Sequence, residues 1–251
     1  MSDDIWAAVG AAAPVVALEG SLVRLVESQE QIATNRLVDT LEEQALLESL
    51  LEAAKPPLPA PTDGLHYLLA TPFRYPPLRH GSRFGGRFEP SLFYAAHGVA
   101  TVLAEAAYYR LVFWFGMAEP PPAPLTTQHT LFGAPWRCRR GLRLQRAPFD
   151  AWRQALTDPA DYRVTQRLGS AMRGAGIEAF EYRSARDPGG GVDVALFTPR
   201  ALAARRPSFT EAWLAATSAE GVRFYSAEER SVQRFAVEQF LVAGRLPMPA
   251  L

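Results

Sequence analysis

Gly81-Ser82-Arg83-Phe84-Gly85-Gly86-Arg87, then Ser91-Leu92-Phe93-Tyr94-Ala95, then the apolar run from Val99 to Phe113 enclosing Glu105 form the stretch on which the reading of this chain turns. The first segment reads as a glycine-rich turn, since glycine permits backbone conformations and close approaches that other residues resist. The second is a short strand and the third a helix. Turn, strand and helix thus present a cation (Arg83), a ring (Tyr94) and a carboxylate (Glu105) on three successive elements. Such a set can grip a phosphorylated, ring-bearing substrate, because arginine clamps phosphate oxygens with a rigid fork. Each residue alone has a plainer reading: a solvated hairpin arginine, a core aromatic, and a glutamate on a helix's polar stripe with Arg110 as its local partner.

Composition narrows the field. The chain has 251 residues, 48% of them apolar and 21% charged, enough to bury a sizeable core and ordinary for a globular protein. Formal net charge is zero, which gives no basic field to recommend direct nucleic-acid binding. The mixed basic and aromatic stretch Trp136 to Arg143 is the best candidate for such binding, and it carries no RNA-binding signature. Lys55 is the sole lysine, and every other basic residue is arginine. Genomic base composition and a demand for phosphate-gripping forks both account for that bias. Cys138 is the sole cysteine and His66, His80, His97 and His129 show no metal-ligand spacing, so no disulfide and no metal are expected. Met1-Ser2-Asp3-Asp4 lacks the basic start of a signal peptide, and Glu105 and Arg110 interrupt the longest apolar run. A cytoplasmic protein without membrane contact is the expectation.

Residues 1–54 read as helical. Thr40-Leu41-Glu42-Glu43 forms a capping box opening a helix whose apolar face is Leu46, Leu47, Leu50 and Leu51. Pro56, Pro57, Pro59 and Pro61 then make a stiff linker. The expected division is therefore an N-terminal helical extension over 1–60 and a main domain over 61–251. Within the latter, His66 to Ala70 reads as a strand, Trp136 to Arg146 as a strand or a hairpin around Gly141, and Pro148 to Leu156 as a helix. Asp161 caps a helix running to Met172. Ile177 to Tyr182, Val192 to Thr198 and Val222 to Tyr225 read as strands. Ser226-Ala227-Glu228-Glu229 resembles a second capping box, opening a C-terminal helix to Ala243. Short strands interleaved irregularly with helices give an α+β class.

A further segment, Arg183-Ser184-Ala185-Arg186 with its glycine-rich continuation, precedes the strand containing Val192-Asp193-Val194. No Walker loop, dinucleotide fingerprint or Gly-x-Ser-x-Gly nucleophile elbow occurs. Taken together, Phe73-Arg74, Gly81 to Phe84, Tyr94, Leu103-Ala104-Glu105 and Ser184 to Pro199 resemble the RES family of bacterial toxins, over residues 66–200. Departures are Ser82 and Phe84 where the family usually has glycine and tryptophan, and Asp193 where asparagine is common.

That resemblance implies an ADP-ribosyltransferase-like fold, a small split sheet flanked by helices, with NAD as substrate in the cleft. It implies cleavage of the nicotinamide–ribose bond through an oxocarbenium-like transition state, which a carboxylate near the ribose stabilises. Catalysis then falls to Glu105, Arg83, Tyr94 and Ser184, and NAD binding to Arg74, Arg83, Arg87, Tyr94, Arg186 and Asp193. Water, phosphate or a protein side chain as acceptor makes the enzyme a glycohydrolase, a phosphorylase or an ADP-ribosyltransferase. A non-catalytic RES-fold binding protein is the competing reading, supported by Asp193 and the helical extension. The resemblance also implies a partner, an Xre-like antitoxin that blocks the cleft. The leucine face of residues 40–54 is expected to pack on its own domain, with an antitoxin or a second copy in a homodimer as the other coverings.

Overall fold

The computed structural model describes residues 4–28, 38–226 and 228–248. Helices α1 (Ile5–Val9), α2 (Leu41–Ala54), α3 (Tyr67–Arg74), α4 (Val99–Phe115), α5 (Arg153–Leu156) and α6 (Arg163–Gly174) accompany eight strands. These are β1 (Val16–Glu27), β2 (Phe93–Ala96), β3 (Leu125–Arg143), β4 (Ala179–Arg183), β5 (Val192–Leu196), β6 (Phe209–Ser218), β7 (Gly221–Ser226) and β8 (Ser231–Ala236). The class is α+β, as the sequence implies.

All eight strands join one sheet in the order β1-β2-β5-β4-β3-β6-β7-β8, and β1 also pairs with β3. That extra pairing closes β1, β2, β5, β4 and β3 into a ring. β3 makes this possible by its length of 19 residues. It runs antiparallel to β1 from Glu27↔His129 to Val16↔Gly141, lies parallel to β4 near its end, and pairs its first half with β6. β6, β7 and β8 then leave the ring as an antiparallel flap.

Three apolar clusters hold these parts together. One gathers Leu22, Phe93, Phe132, Trp136 and Val194 from the ring with Leu69 and Phe73 of α3. A second packs α1 and α6 on Phe180 and Tyr182 of β4, around Phe84 of the glycine-rich turn. The third lays α4 between ring and flap through Leu103, Tyr108, Leu111, Trp213 and Phe224. α4 is apolar on nearly every side, and most of it is enclosed in this way, while Tyr109, Phe113 and Phe115 stay exposed.

Several expectations are corrected. Residues 16–27 are strand, not helix, and β1 supplies one wall of the ring, so the part before residue 60 is not a wholly helical extension. Its partner lies more than a hundred residues away, out of reach of local periodicity. Residues 67–70 open α3 rather than forming a strand, with His66 Nδ1 accepting the Leu68 N–H; a short apolar run does not distinguish buried strand from buried helix. β3 runs straight through Gly141, where a Cβ would stand 2.5 Å from Leu18 Cδ1: the glycine marks close strand approach, not a hairpin. Pro148 to Leu156 divides into a 3-10 turn and α5. The expected C-terminal helix is β8 followed by a 3-10 turn at Val237–Phe240. Ser226 Oγ does accept the Glu229 N–H at 3.1 Å, but the bond closes a turn between β7 and β8; Ala227 lies outside the described residues.

The Thr40 capping box is present, with Glu43 N–H donating to Thr40 Oγ1 and Thr40 N–H to Glu43 Oε2. The face it was expected to bury is not buried: Leu46, Leu50 and Leu51 stand 61%, 59% and 46% exposed. α2 meets the body through charge instead, by Glu52 Oε1 with Arg74 Nη1 at 2.6 Å.

Two sites in this frame give measurable consequences. Gly169 of α6 lies against the glycine-rich turn, where an added Cβ would stand 1.8 Å from the Phe84 carbonyl oxygen. Gly169→Ala is expected to lower stability by about 1–3 kcal/mol, as overpacking does, read by denaturant melts; stability within error of wild type would show that the turn and helix separate freely.

His97 Nε2 meets Glu181 Oε1 at 3.3 Å, while Glu181 Oε2 accepts from Arg143 Nε and Gln145 Nε2. The Glu181 contact raises the pKa of His97 above 6.5. Burial pushes Glu181 up, but His97 and Gln145 outweigh it and hold the carboxyl below 4.5. The histidine's contribution is complete below its unfolded pKa and fades as pH rises through the higher folded one; the glutamate's is present above its unfolded pKa and is lost as pH falls through the lower folded one. His97→Gln is therefore expected to lower Tm more at about pH 6 than at about pH 9, and an equal loss at both would refute the coupling.

Candidate active site

The glycine-rich turn is built for close approach. Gly81 adopts a positive φ of 72°, and Ser82 bridges to Gly85 across the turn. Tyr94, on the neighbouring strand, fastens it: its hydroxyl lies 2.8 Å from Ser82 Oγ and accepts the Phe84 N–H at 3.0 Å. Burial pushes the Tyr94 phenol up to about 12, so it stays protonated. Phe84 turns inward and is fully buried, edge-on to Phe180 and Tyr182. Arg83 points the other way, into a cavity.

That cavity, of about 490 Å³, is lined by Arg24, Ser82, Arg83, Tyr94, Glu105, Tyr109, Tyr182 and Asp193 among others. Arg83 is only 6% exposed; its Nη1 donates to the Asp158 carbonyl at 2.9 Å and its guanidinium lies 4.6 Å from the centre of the Tyr162 ring. Burial works against its charge, but Tyr162 and Glu105 more than compensate, and its pKa is raised above the ordinary arginine value. Glu105, one face of α4, accepts a 2.5 Å hydrogen bond from Ser184 Oγ. The direction is fixed by what Ser184 does besides: its oxygen accepts the N–H groups of Arg186 and Asp187, both at 3.1 Å, so its proton belongs to Glu105. Asp187 completes the corner by accepting from Thr101 Oγ1 at the start of α4 and from the Gly189 and Gly191 N–H groups.

A second compartment of about 420 Å³ adjoins the first and shares Arg24, Glu27, Ser82, Tyr94 and Tyr109 with it. Its remaining walls are mostly apolar, with Tyr67, Tyr75, Pro76, Pro77 and Leu78. Tyr94 and Arg24 stand where the two meet.

Arg83, Tyr94, Glu105, Ser184 and Asp193 are therefore brought together. Three expected binding residues are not. Arg74 is turned away, tied to Glu52 and to the Pro56 carbonyl, and its neighbours Phe73 and Tyr75 made it look like a clamp. Arg87 is exposed over Phe88 and lines neither compartment. Arg186 is buried beneath the site, 3.4 Å from the centre of the Tyr108 ring, donating to Pro159 O and Tyr162 Oη. It braces; it does not reach the cavity. Arg110 pairs with Glu27 at 3.0 Å, not with Glu105.

Arg24 is the residue that sequence reasoning missed. It comes from β1, donates to the Tyr94 carbonyl, stacks on Phe93 and leaves Nε shut off from solvent without a partner among the described residues. Burial lowers its pKa to about 10, and the nearby Tyr182 opposes that shift. An arginine in the middle of Val16–Glu27 was a weak signal, hidden by reading that stretch as helix.

The model of the RES domain matches residues 58–218, and this chain belongs to the RES family. No curated protein matches it. Among solved structures, a chain of the crystal structure of the M. tuberculosis MbcT-MbcA toxin-antitoxin complex is similar at 11% identity and a TM-score of 0.47, covering 83% of this chain and 92% of that one. No helix among the described residues is long and apolar enough to cross a membrane.

Tyr94→Phe tests the fastening of the turn. It orphans the N–H of fully buried Phe84, which should cost about 1–3 kcal/mol in denaturant unfolding. Tyr109→Phe, at a side chain 46% exposed, should cost less, and the reverse order would overturn this account of the turn.

Proposed function

We propose that this protein is a RES-type toxin that consumes NAD by cleaving its nicotinamide–ribose bond. The observation that carries the reading is the Glu105 carboxylate, oriented by Ser184 in the same cavity as the buried cation Arg83. Arginine forks supply what a pyrophosphate needs; Arg24, Arg83 and Arg110 line the cavity, and Arg110 is paired with Glu27. Tyr94 offers a ring beside them, and the mostly apolar second compartment suits the other flat ring of a dinucleotide.

In the reaction the bond between C1 of the ribose and the nicotinamide nitrogen breaks, and its electron pair leaves with nicotinamide. Positive charge develops on the ribose, and Glu105 stabilises it from a fixed position, without the reorganisation water would require. Ser184 holds the carboxylate in place. An acceptor oxygen then bonds to C1 and releases its proton. Water gives ADP-ribose, and inorganic phosphate gives ADP-ribose-1''-phosphate. By family resemblance the activity is restrained by an Xre-like antitoxin that covers the cleft.

The test is purified protein incubated with NAD, with and without phosphate, with products read by mass spectrometry. Nicotinamide release by the wild type, reduced by about 100-fold or more in Glu105→Ala, is expected. Intact NAD in both buffers, with folded and partner-free protein, would sink NAD degradation and favour transfer to a protein target or a non-catalytic role.

A further inference from the structure

Asp193 presents a problem that the mechanism does not use. It lies at the end of β5 nearest α4, paired in register with Tyr182 of β4 and Ala96 of β2. It is 2% exposed, and its Oδ2 is buried with no hydrogen-bond donor among the described residues. Its side chain lines the same cavity as the Glu105 carboxyl and lies within hydrogen-bonding reach of it. Two carboxylates in contact are two acceptors facing each other, and they hold together only if one carries a proton. No other group among the described residues around Asp193 removes the need. Arg83 favours its charge, but Arg83 is already engaged by Asp158 O, Tyr162 and Glu105. Asp187 adds a further negative charge, and Tyr182 and Tyr94 are phenols kept protonated by burial. Arg24 lines the same cavity and gives its hydrogen bond to the Tyr94 carbonyl.

We propose that Asp193 is a positioning residue that stays protonated at neutral pH and donates its carboxylic O–H to Glu105. Glu105 then has two donors, Ser184 on Oε1 and Asp193 beside it, and keeps the negative charge while Asp193 stays neutral. Which of two adjacent carboxyls takes the proton is decided by surroundings. Here the more buried one, without a donor of its own, is Asp193, and the one already receiving a hydroxyl hydrogen bond is Glu105. Burial, followed by the Glu105 charge, drives the Asp193 pKa well above 3.8, in agreement with the geometry. The orientation matters because a carboxylate held by two donors is aimed before substrate arrives.

The role in turnover rests on the NAD-consuming reading above; the proton on Asp193 does not. Two readouts are therefore taken on the full-length chain. In the first, carboxyl carbons of aspartate-labelled protein are followed by NMR against pH, with Asp193→Asn identifying the resonance. A resonance that remains in its protonated position through neutral pH is expected, and titration in the ordinary aspartate range overturns the proposal whatever the enzyme does. Melting temperatures probe the same proton independently. Asp193 loses its proton on unfolding at neutral pH, so the wild type is destabilised progressively as pH rises above about 4, and Asp193→Asn, which cannot ionise, should gain in Tm relative to wild type as pH rises. A pH-independent difference overturns the proposal.

The second readout is NAD turnover across pH. Asp193→Asn, whose amide also donates, should retain kcat within about threefold at neutral pH and lose the alkaline fall that the wild type shows as Asp193 ionises. Asp193→Ala should lose kcat by about tenfold or more with a smaller change in KM. If the alanine and asparagine variants behave alike, positioning by a donor is refuted. If the wild type turns over no NAD while Asp193 remains protonated by NMR, the proposed function fails and the proton assignment stands.

Discussion

A half-buried carboxylate and a buried guanidinium at one seam, Glu105 and Arg83, set the terms for the surrounding structure. Arg83 cannot rely on solvent and Glu105 can do so only in part, so both depend on groups the fold supplies. Ser184 answers Glu105, and is itself fixed by the backbone of Arg186 and Asp187. Asp158 and Tyr162 answer Arg83, and Tyr162 in turn receives Arg186. Asp187 ties the corner to the first turn of α4 through Thr101. The β4–β5 turn, the loop before α6 and the helix bearing the carboxylate are thereby one hydrogen-bonded unit. Polar networks of this kind, when every member is satisfied, fix a unique arrangement; with one member missing they are costly.

What the sequence revealed follows from how local each signal was. Arg83, Tyr94 and Glu105 sit on consecutive elements, so turn, strand and helix could be read in order and their spacing recognised. Ser184 was legible for the same reason, as part of a compact turn between two strands. Arg24 was not, because its place depends on β1 joining β3, a pairing that no window around residue 24 contains. Arg74 failed in the opposite way: flanked by aromatic residues it had the right local appearance, while a glutamate 22 residues earlier had already claimed it. Near the C-terminus the Ser226 to Glu229 pattern forms a capping-type bond and still makes a hairpin, since Val222 and Phe224 need β7 paired and buried more than the following residues need a helix. Tertiary burial outranked local propensity there, as it did for residues 16–27.

The arginine bias posed two readings, base composition or function, and the structure separates them residue by residue. Arg137 and Arg139 are exposed, and nothing about them needs a guanidinium rather than an ammonium. Arg24, Arg83 and Arg186 are different. Each lays its plane near an aromatic ring, Phe93 at 5.2 Å, Tyr162 at 4.6 Å and Tyr108 at 3.4 Å, while directing N–H groups to backbone carbonyls in the ring's neighbourhood. A flat, weakly hydrated cation can stack and donate at once; a lysine's compact ammonium, strongly hydrated, would have to shed its water for fewer directed bonds. At these three positions the contacts call for arginine in particular. Lysine at Arg186 would keep the charge but lose both the stack on Tyr108 and the paired donation to Pro159 and Tyr162. Because those contacts hold the turn that orients Ser184, that loss would be transmitted to Glu105, a residue Arg186 never touches.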